Sequence, residues 1–164
     1  MDHHFMERCI ELAWQSAEAG FDPFACVLVK EGEIKYESPD RCIQYADPTA
    51  HAELVAIREH CVAEQKISLA GYTLYTNVEP CIMCCGAIHW AKIDRVVFAL
   101  SQADLKKHSG GNPKPSAISL LNIGGKKVMV EGGILREEAQ KVFTHFAFQS
   151  KQERFSNFWQ KGLD

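Results

Sequence analysis

Apolar and polar residues follow two spacings along the chain, one typical of helices and one typical of strands. Between residues 5 and 19 the apolar side chains recur at near-helical intervals, and Gly20 is placed to end that helix. A second helical pattern covers residues 135–150. Polar and turn residues from 38 to 47 predict a loop. Short apolar runs predict strands at 24–29, 34–38, 73–76, 95–99 and 127–131.

Two more helices are predicted where turn residues precede longer apolar-rich segments. Residues 47–49 (Asp-Pro-Thr) indicate a helix start before the sequence AHAELVAIREHC, and Pro80 precedes a helix over 81–91. Residues 104–125 are rich in Gly, Pro and Lys and predict a loop with a short apolar insert. The order of helix, hairpin, and then strands alternating with helices favours a mixed sheet covered by helices. We therefore expect one α/β sandwich domain over residues 1–164.

The composition is that of an ordinary globular protein, with 46% hydrophobic and 24% charged residues. The N-terminus lacks an apolar secretory stretch, and no run approaches the roughly 20 apolar residues of a membrane span. We therefore expect a cytoplasmic protein without a membrane partner. Its seven cysteines predict thiols or metal ligands rather than disulfides. A formal net charge of −3 makes a nucleic-acid partner less expected, although this charge does not exclude a local basic patch.

Two short segments, His51-Ala52-Glu53 and Pro80-Cys81-Ile82-Met83-Cys84, carry the candidate chemistry. A catalytic zinc site needs three protein ligands and one open position for water. Cys81 and Cys84 lie three residues apart at a helix start, so they face the same way, and helix N-termini favour thiolates. His51, at another helix start, supplies a nitrogen ligand. The sequence therefore predicts one Zn²⁺ per chain.

Glu53 is the candidate catalytic residue because it lies too close to His51 in sequence to join the ligand set without distortion. Zinc lowers the pKa of bound water from about 15.7 to about 7. Glu53 would accept a proton from that water and pass it to a ring nitrogen, then to a leaving amine. H-x-E combined with P-C-x-x-C is the known pattern of zinc nucleobase deaminases, so this assignment follows from recognising that pattern.

Three other interpretations of these residues are open. A redox Cys-x-x-Cys pair leaves the His-Ala-Glu segment unexplained. A structural zinc site requires a fourth ligand, for which Cys85 and His89 are near in sequence. A non-catalytic zinc-stabilised binding module would leave Glu53 an ordinary carboxylate at a helix start, so the Glu53–His51 spacing favours the enzyme. The remaining histidines are expected to be solvated or capping: His3, His4, His60, His108 and His145.

Three segments resemble the cytidine deaminase-like superfamily, and within it the branch of guanine deaminases and bacterial tRNA adenosine deaminases. They are residues 47–53 (DPTAHAE), 77–84 (NVEPCIMC) and 86–91 (GAIHWA). The resemblance is close from residue 5 to about residue 100 and weaker beyond. It implies a three-layer α/β/α sandwich with a five-stranded mixed sheet and both zinc motifs at N-termini of adjacent central helices. It also implies homodimers with shared pockets.

The resemblance leaves more than one substrate open. Residues 86–91 are more similar to guanine deaminases, and the acidic balance agrees, so we expect a small-molecule partner, with guanine converted to xanthine plus ammonia. Residues 133–138 resemble the tRNA adenosine deaminases instead, which makes adenosine-to-inosine conversion in tRNA the alternative. Cytosine or an aminotriazine is a further alternative. A local basic surface could be formed by Lys106, Lys107, Lys114, Lys126 and Lys127.

The candidate substrate contacts include one departure from the family pattern. Asp40 stands eleven residues before His51, where these enzymes usually carry asparagine. Because an ionised aspartate only accepts hydrogen bonds, Asp40 would prefer a base that presents N–H groups. Phe24 is a candidate stacking wall, and the segment around it lacks a glycine that the family often carries. The backbone N–H of Ala52 would hold a substrate carbonyl or ring nitrogen, and Glu79 is a further candidate contact.

The C-terminal tail, residues 150–164, is aromatic. By resemblance to guanine deaminases, it would close an active site, in its own chain or in the neighbouring one. Phe155, Phe158 and Trp159 would stack on a flat base, or else would pack on a hydrophobic patch at the dimer interface.

Overall fold

The computed structural model describes the chain except for residues 111, 113, 124, 126, 147–149 and 161–164. The predicted basic residue Lys126 and the end of the predicted tail lie outside the described residues. The helices are α1 (Asp2–Glu18), α2 (Cys42–Tyr45), α3 (Ala52–Ala63), α4 (Ile82–Trp90), α5 (Gln102–Ser109), α6 (Ala117–Leu121), α7 (Arg136–His145) and α8 (Lys151–Gln160). The strands are β1 (Ala25–Lys30), β2 (Glu33–Pro39), β3 (Thr73–Val78), β4 (Arg95–Leu100) and β5 (Met129–Gly132).

The strands form one five-stranded mixed sheet, as predicted, and their order is β2-β1-β3-β4-β5. β1 is antiparallel to both β2 and β3, whereas β3, β4 and β5 are parallel. Parallel neighbours need crossover connections, and helices supply them here: α4 joins β3 to β4, while α5 and α6 lie between β4 and β5. Both faces of the sheet are thereby covered, which confirms the three-layer sandwich.

The alternation of side chains along β1 explains the two layers of core. Val27 and Val29 point into a cluster that contains residues of α1 and α7, whereas Cys26 and Leu28 point into a second cluster. The second cluster contains residues of α3, α4 and α6. Successive side chains of a strand face opposite sides, so a strand buried on both faces is apolar throughout. β1 is such a strand over residues 25–29, and the metal motifs lie on the α3–α4 side.

The prediction of a loop over residues 104–125 was wrong, because this segment contributes to two helices. Ser101 begins α5 with a capping box: its hydroxyl accepts the N–H of Asp104, whose carboxylate accepts the N–H of Ser101. Ser116 caps α6, whose Ala117 and Leu121 are fully buried. These local caps and buried contacts outweigh the Gly- and Pro-rich composition between the two helices.

The single helix predicted over residues 135–150 ends early, at His145, where Phe146 adopts an extended conformation. A separate helix, α8, follows, and Ser150 and Glu153 form reciprocal hydrogen bonds at its start. The short helix α2 occupies part of the predicted 38–47 loop. No helix among the described residues is both long enough and apolar enough to span a bilayer.

His60 also differs from expectation, since it is buried rather than solvated or capping. Its Nε2 lies 3.0 Å from the hydroxyl of Tyr72, and burial lowers the pKa of its imidazole. A buried polar ring of this kind is stable because it has a hydrogen-bond partner.

Candidate metal centre and active site

The metal motifs occupy equivalent positions at the starts of two packed helices. His51 is the N-cap residue of α3 and Cys81 is the N-cap residue of α4, both with extended backbone conformations. Cys84 lies in the first turn of α4 and is fully buried. The free N–H groups and the dipole at a helix N-terminus favour negative charge, so this place suits the thiolates.

The three side chains meet in a triangle of nearly equal sides. The Sγ atoms of Cys81 and Cys84 are 3.6 Å apart, and each lies 3.7 Å from Nδ1 of His51. Tetrahedral zinc, with bonds of about 2.3 Å to sulfur and about 2.1 Å to nitrogen, requires edges of about 3.6 to 3.8 Å. The donor set therefore fits zinc in both chemistry and dimensions.

The neighbouring residues that a structural zinc site would need do not complete this triangle. The thiol of Cys85 donates to the carbonyl oxygen of Pro80 at 3.5 Å, and His89 is exposed with its ring against Trp90. Among the described residues, the ligand cluster around Cys81 and Cys84 contains only His51 in addition. A position is thus left open for water, as a catalytic site requires.

The thiols of the triangle are electrostatically coupled. Hydrogen bonding with Cys84 lowers the pKa of Cys81, and the same contact together with burial raises the pKa of Cys84. The contact with Cys81 also raises the pKa of His51. Zinc binds thiolates and neutral imidazole, so loading this site releases protons.

Glu53 lies next to the triangle and is buried, with 6% of its surface exposed. Burial raises the pKa of its carboxyl to about 7, against the opposing effect of nearby His51. A carboxyl that titrates near neutrality is suited to accept and return protons. Its position in the first turn of α3 aims it into the same cavity as His51 and Cys81.

This cavity has a volume of about 70 Å³. Phe24, the predicted stacking wall, lines it, and its ring is held against Phe143 at a centroid distance of 5.6 Å. Sequence reasoning missed Gln102 and Leu105 as lining residues, because Leu105 lies in the segment predicted as a loop and Gln102 lies just before it, where no element was predicted. The Ser101–Asp104 capping pattern was the signal that would have placed them on a helix. The cavity is lined by Phe24, His51, Glu53, Thr76, Val78, Glu79, Cys81, Gln102, Leu105 and Lys114.

Glu79 lines the cavity, but both of its carboxylate oxygens are already bonded to backbone. Oε2 accepts the N–H of Gln102 at 2.9 Å, and Oε1 accepts the N–H of Ala117 at 2.7 Å. One side chain at the end of β3 thereby fixes the starts of α5 and α6 beside the metal ligands.

Ala52 and Asp40 lie on either side of His51 in sequence and close to it in space. Ala52 is the first residue of α3, so its N–H is among the donors that the helix itself leaves free. Asp40 is buried, and it accepts hydrogen bonds from the backbone N–H and the thiol of Cys42. Ligand atoms of Asp40, Cys42 and His51 lie within 4.8 Å of one another. Burial raises the pKa of Asp40.

The tail helix α8 packs on its own chain next to this edge of the site. Trp159 donates its indole N–H to the carbonyl of Ile43 in α2 at 2.9 Å. Arg154 bonds Asp22 at 2.6 Å, and Lys151 lies 2.9 Å from Asp22 and 3.9 Å from Asp40. Trp159 is therefore held by α2 rather than among the residues that line the cavity described above.

Comparison with known proteins connects this geometry to a family. Residues 1–100 match the cytidine and deoxycytidylate deaminase zinc-binding region. A tRNA-specific adenosine deaminase of Buchnera aphidicola is 34% identical over 92% of this chain and 96% of its own length. A guanine deaminase of Bacillus subtilis is 42% identical over 63% of this chain and 68% of its own length.

A solved structure from work on A-to-I editing by tRNA:A34 deaminases superposes with a TM-score of 0.74 and 30% identity. The superposition covers 85% of this chain and 98% of the other. The fold is thus shared with that structure over nearly the full length of its chain.

Proposed function

Since this chain belongs to the zinc-dependent deaminases of the cytidine and deoxycytidylate deaminase family, we propose that it converts adenosine in tRNA to inosine. In the reaction, one water replaces the exocyclic amine of the base, and the amine leaves as ammonia.

The lengths of the matches support adenosine in tRNA. The match to the tRNA-specific adenosine deaminase extends over 151 residues and therefore includes most of the chain beyond the zinc motifs. The match to the guanine deaminase is more identical but spans only 106 residues. Because substrate contacts come from elements outside the metal motifs, the longer match carries more weight for specificity than the shorter one. It supports adenosine over the guanine expected from the motif region alone.

Guanine is the second candidate, favoured by the higher identity of that shorter match. In either case the metal ligands and Glu53 act in the same way, and only the shape and polarity of the cavity mouth select the base. The two candidates therefore differ in substrate and not in mechanism.

The side chains divide the chemical work among them. His51, Cys81 and Cys84 would hold zinc, which when bound supplies an acidified water near neutral pH. Glu53 takes a proton from the attacking water and returns protons to the ring nitrogen and the leaving amine. Phe24 packs on a face of the base, and Glu79 keeps α5 and α6 in place at the mouth.

A homodimer is also part of the proposal, because α4 and α6 expose a shared apolar face. Ile82, Gly86 and Trp90 follow one another at intervals of four along α4, and 82% of Trp90 is exposed. The helix α6 packs against α4, and Ile118 of α6 and Ile123 just after it are exposed. Light scattering should give twice the chain mass, and Trp90→Glu should give the monomer mass.

The substrate is tested by measuring product from purified zinc-loaded protein. The panel contains a tRNA anticodon stem-loop, adenosine, guanine, guanosine, cytosine and an aminotriazine. Inosine in the stem-loop, without ammonia from the small molecules, is the expected result. Ammonia from guanine with an unchanged stem-loop would replace the proposed substrate by the second candidate.

A further inference from the structure

The cavity over the metal ligands is too small to receive a nucleobase without help from its mouth. Its volume of about 70 Å³ is about half of the roughly 150 Å³ that an engineered apolar cavity uses to hold benzene. A purine is larger than benzene. A bound base therefore extends into the mouth, and a group attached to the base comes to lie beside the side chains there.

The mouth is lined by side chains from α5 and by Lys114, which precedes α6. Gln102 and Leu105 come from α5, and Lys114 comes from the connecting segment. Lys114 lies three residues before Ala117, whose N–H is bonded to Glu79 at 2.7 Å. Ser116 also caps α6. Because Ser116 and Ala117 are held by these hydrogen bonds and lie only two and three residues after Lys114, the amine of Lys114 stays near the cavity.

Lys114 has no acidic partner among the described residues, in contrast to Lys107 and Lys151. Lys107 pairs with Asp104 at 3.1 Å and Lys151 with Asp22 at 2.9 Å. Within the part of the chain that the structure describes, no ion pair or side-chain hydrogen bond involves Lys114, and its side chain is exposed. It is also the only lysine or arginine among the described cavity-lining residues. Its ammonium group is available to a ligand.

An available ammonium at this mouth selects for an anion attached to the base. An uncharged base or nucleoside offers Lys114 nothing to pair with. A nucleotide within RNA carries a phosphate on each side of its ribose, and lysine binds phosphate as a point charge.

We infer that Lys114 binds a phosphate adjacent to the target nucleotide and so gives the site its preference for a nucleotide in RNA over a free base. The inference rests on the proposed function, because it requires that the substrate be part of a nucleic acid. It adds a specificity residue to that function and leaves the chemistry at the metal unchanged.

The test compares Lys114→Gln with Lys106→Gln, a matched change of an exposed lysine on α5 that does not line the cavity. Both variants and the wild type are assayed on an RNA hairpin with one target adenosine. A second hairpin carries uncharged methylphosphonate linkages on both sides of that adenosine. Guanine serves as the small-molecule substrate, and thermal melts verify that the variants fold.

Lys114→Gln should lower kcat/KM on the charged hairpin by about fivefold to tenfold, mainly through KM. It should also reduce the slope of log(kcat/KM) against log salt by about 1. On the uncharged hairpin, Lys114→Gln and the wild type should have equal kcat/KM. Lys106→Gln should leave kcat/KM nearly unchanged on both hairpins.

Two outcomes overturn the inference in distinguishable ways. In the first, the wild type edits the hairpin, but Lys114→Gln has the same kcat/KM as Lys106→Gln or loses equal activity on both hairpins. The role of Lys114 is then wrong while the proposed function stands. If the wild type deaminates guanine and leaves both hairpins unchanged, the proposed substrate is wrong and the role of Lys114 fails with it.

Discussion

The Sγ atom of Cys84 lies 3.7 Å from Nδ1 of His51, although the two residues are 33 positions apart in the sequence. The contact joins the starts of α3 and α4, which pack side by side on one face of the sheet. A bond between metal and both residues would therefore tie two helices together as well as create a reactive centre.

Replacing a ligand should remove the metal. Cys81→Ala leaves only two protein ligands, so we expect zinc content to fall from about one per chain to near zero, together with all deaminase activity. Elemental analysis after gel filtration measures this. Cys85→Ala is the matched control, because its thiol bonds a backbone carbonyl outside the ligand triangle and should leave zinc bound. Full zinc retention in Cys81→Ala would show that the ligand set is wrong.

Replacing the proton carrier should separate chemistry from metal binding. Glu53→Gln keeps the size of the side chain but removes its proton affinity, so kcat should fall by about 10² to 10⁴ while zinc stays bound. Ammonia release and elemental analysis are measured on the same sample. Glu64→Gln, an exposed change after the end of the same helix, should retain activity. Normal turnover in Glu53→Gln would exclude its role in proton transfer.

Asp104 should make stability depend on pH in the acid range. Hydrogen bonds from Arg136, supported by Ser101 and Lys107, hold the pKa of the Asp104 carboxyl well below its usual range. Such a carboxylate stabilises the folded state fully above its unfolded pKa, near 4. That stabilisation is lost as the pH falls below 4 toward the lowered folded value.

The corresponding variant is Asp104→Asn. We expect it to lower the free energy of unfolding at pH 7 by about 1 to 2 kcal/mol, with a smaller difference from wild type at pH 3.5. Urea denaturation at the two pH values measures both quantities. Glu7→Gln, an exposed change on α1, should show no such effect. An Asp104→Asn deficit that is unchanged or larger at pH 3.5 would contradict the assigned sign.

The attachment of α8 should depend on the ion pair between Arg154 and Asp22. Both side chains are largely buried, with 10% and 6% exposure, so losing the guanidinium removes one of the two cations, Arg154 and Lys151, that pair with buried Asp22. Arg154→Gln should increase amide hydrogen exchange throughout α8 by at least about tenfold, without changing exchange in β3. Asn157→Ala, an exposed change on the same helix, should leave α8 as protected as in the wild type. Equal protection in both variants would mean that other contacts hold the helix.

The metal ligands of the site were more predictable from the sequence than the residues at the cavity mouth. His51, Cys81 and Cys84 belong to short motifs in which helix starts determine the direction of each side chain, so local rules suffice. Lys114 was expected only as part of a basic surface, because its place at the cavity depends on the Glu79–Ala117 hydrogen bond between residues 38 positions apart. No local pattern contains that bond.

The same distinction explains the errors in the fold. The strands and sheet were predictable from apolar runs. The helix α5 was not predicted, because the glycines and prolines that follow it made the whole segment resemble a loop. His60 was expected to be solvated because histidines are often exposed, and only its tertiary partner Tyr72 makes burial favourable. The packing of α8 on α2 likewise depends on contacts that are distant in sequence.

The carboxylate of Glu79 holds the starts of the two helices at the cavity mouth through backbone N–H groups, those of Gln102 and Ala117. Amide nitrogens are present whatever side chain a residue carries, apart from proline. The side chain of exposed Lys114 can therefore be exchanged while the two helix starts, and the metal ligands beneath, stay in place. Selection or design could act at this position to redirect a fixed hydrolytic centre toward a new amine-bearing ring.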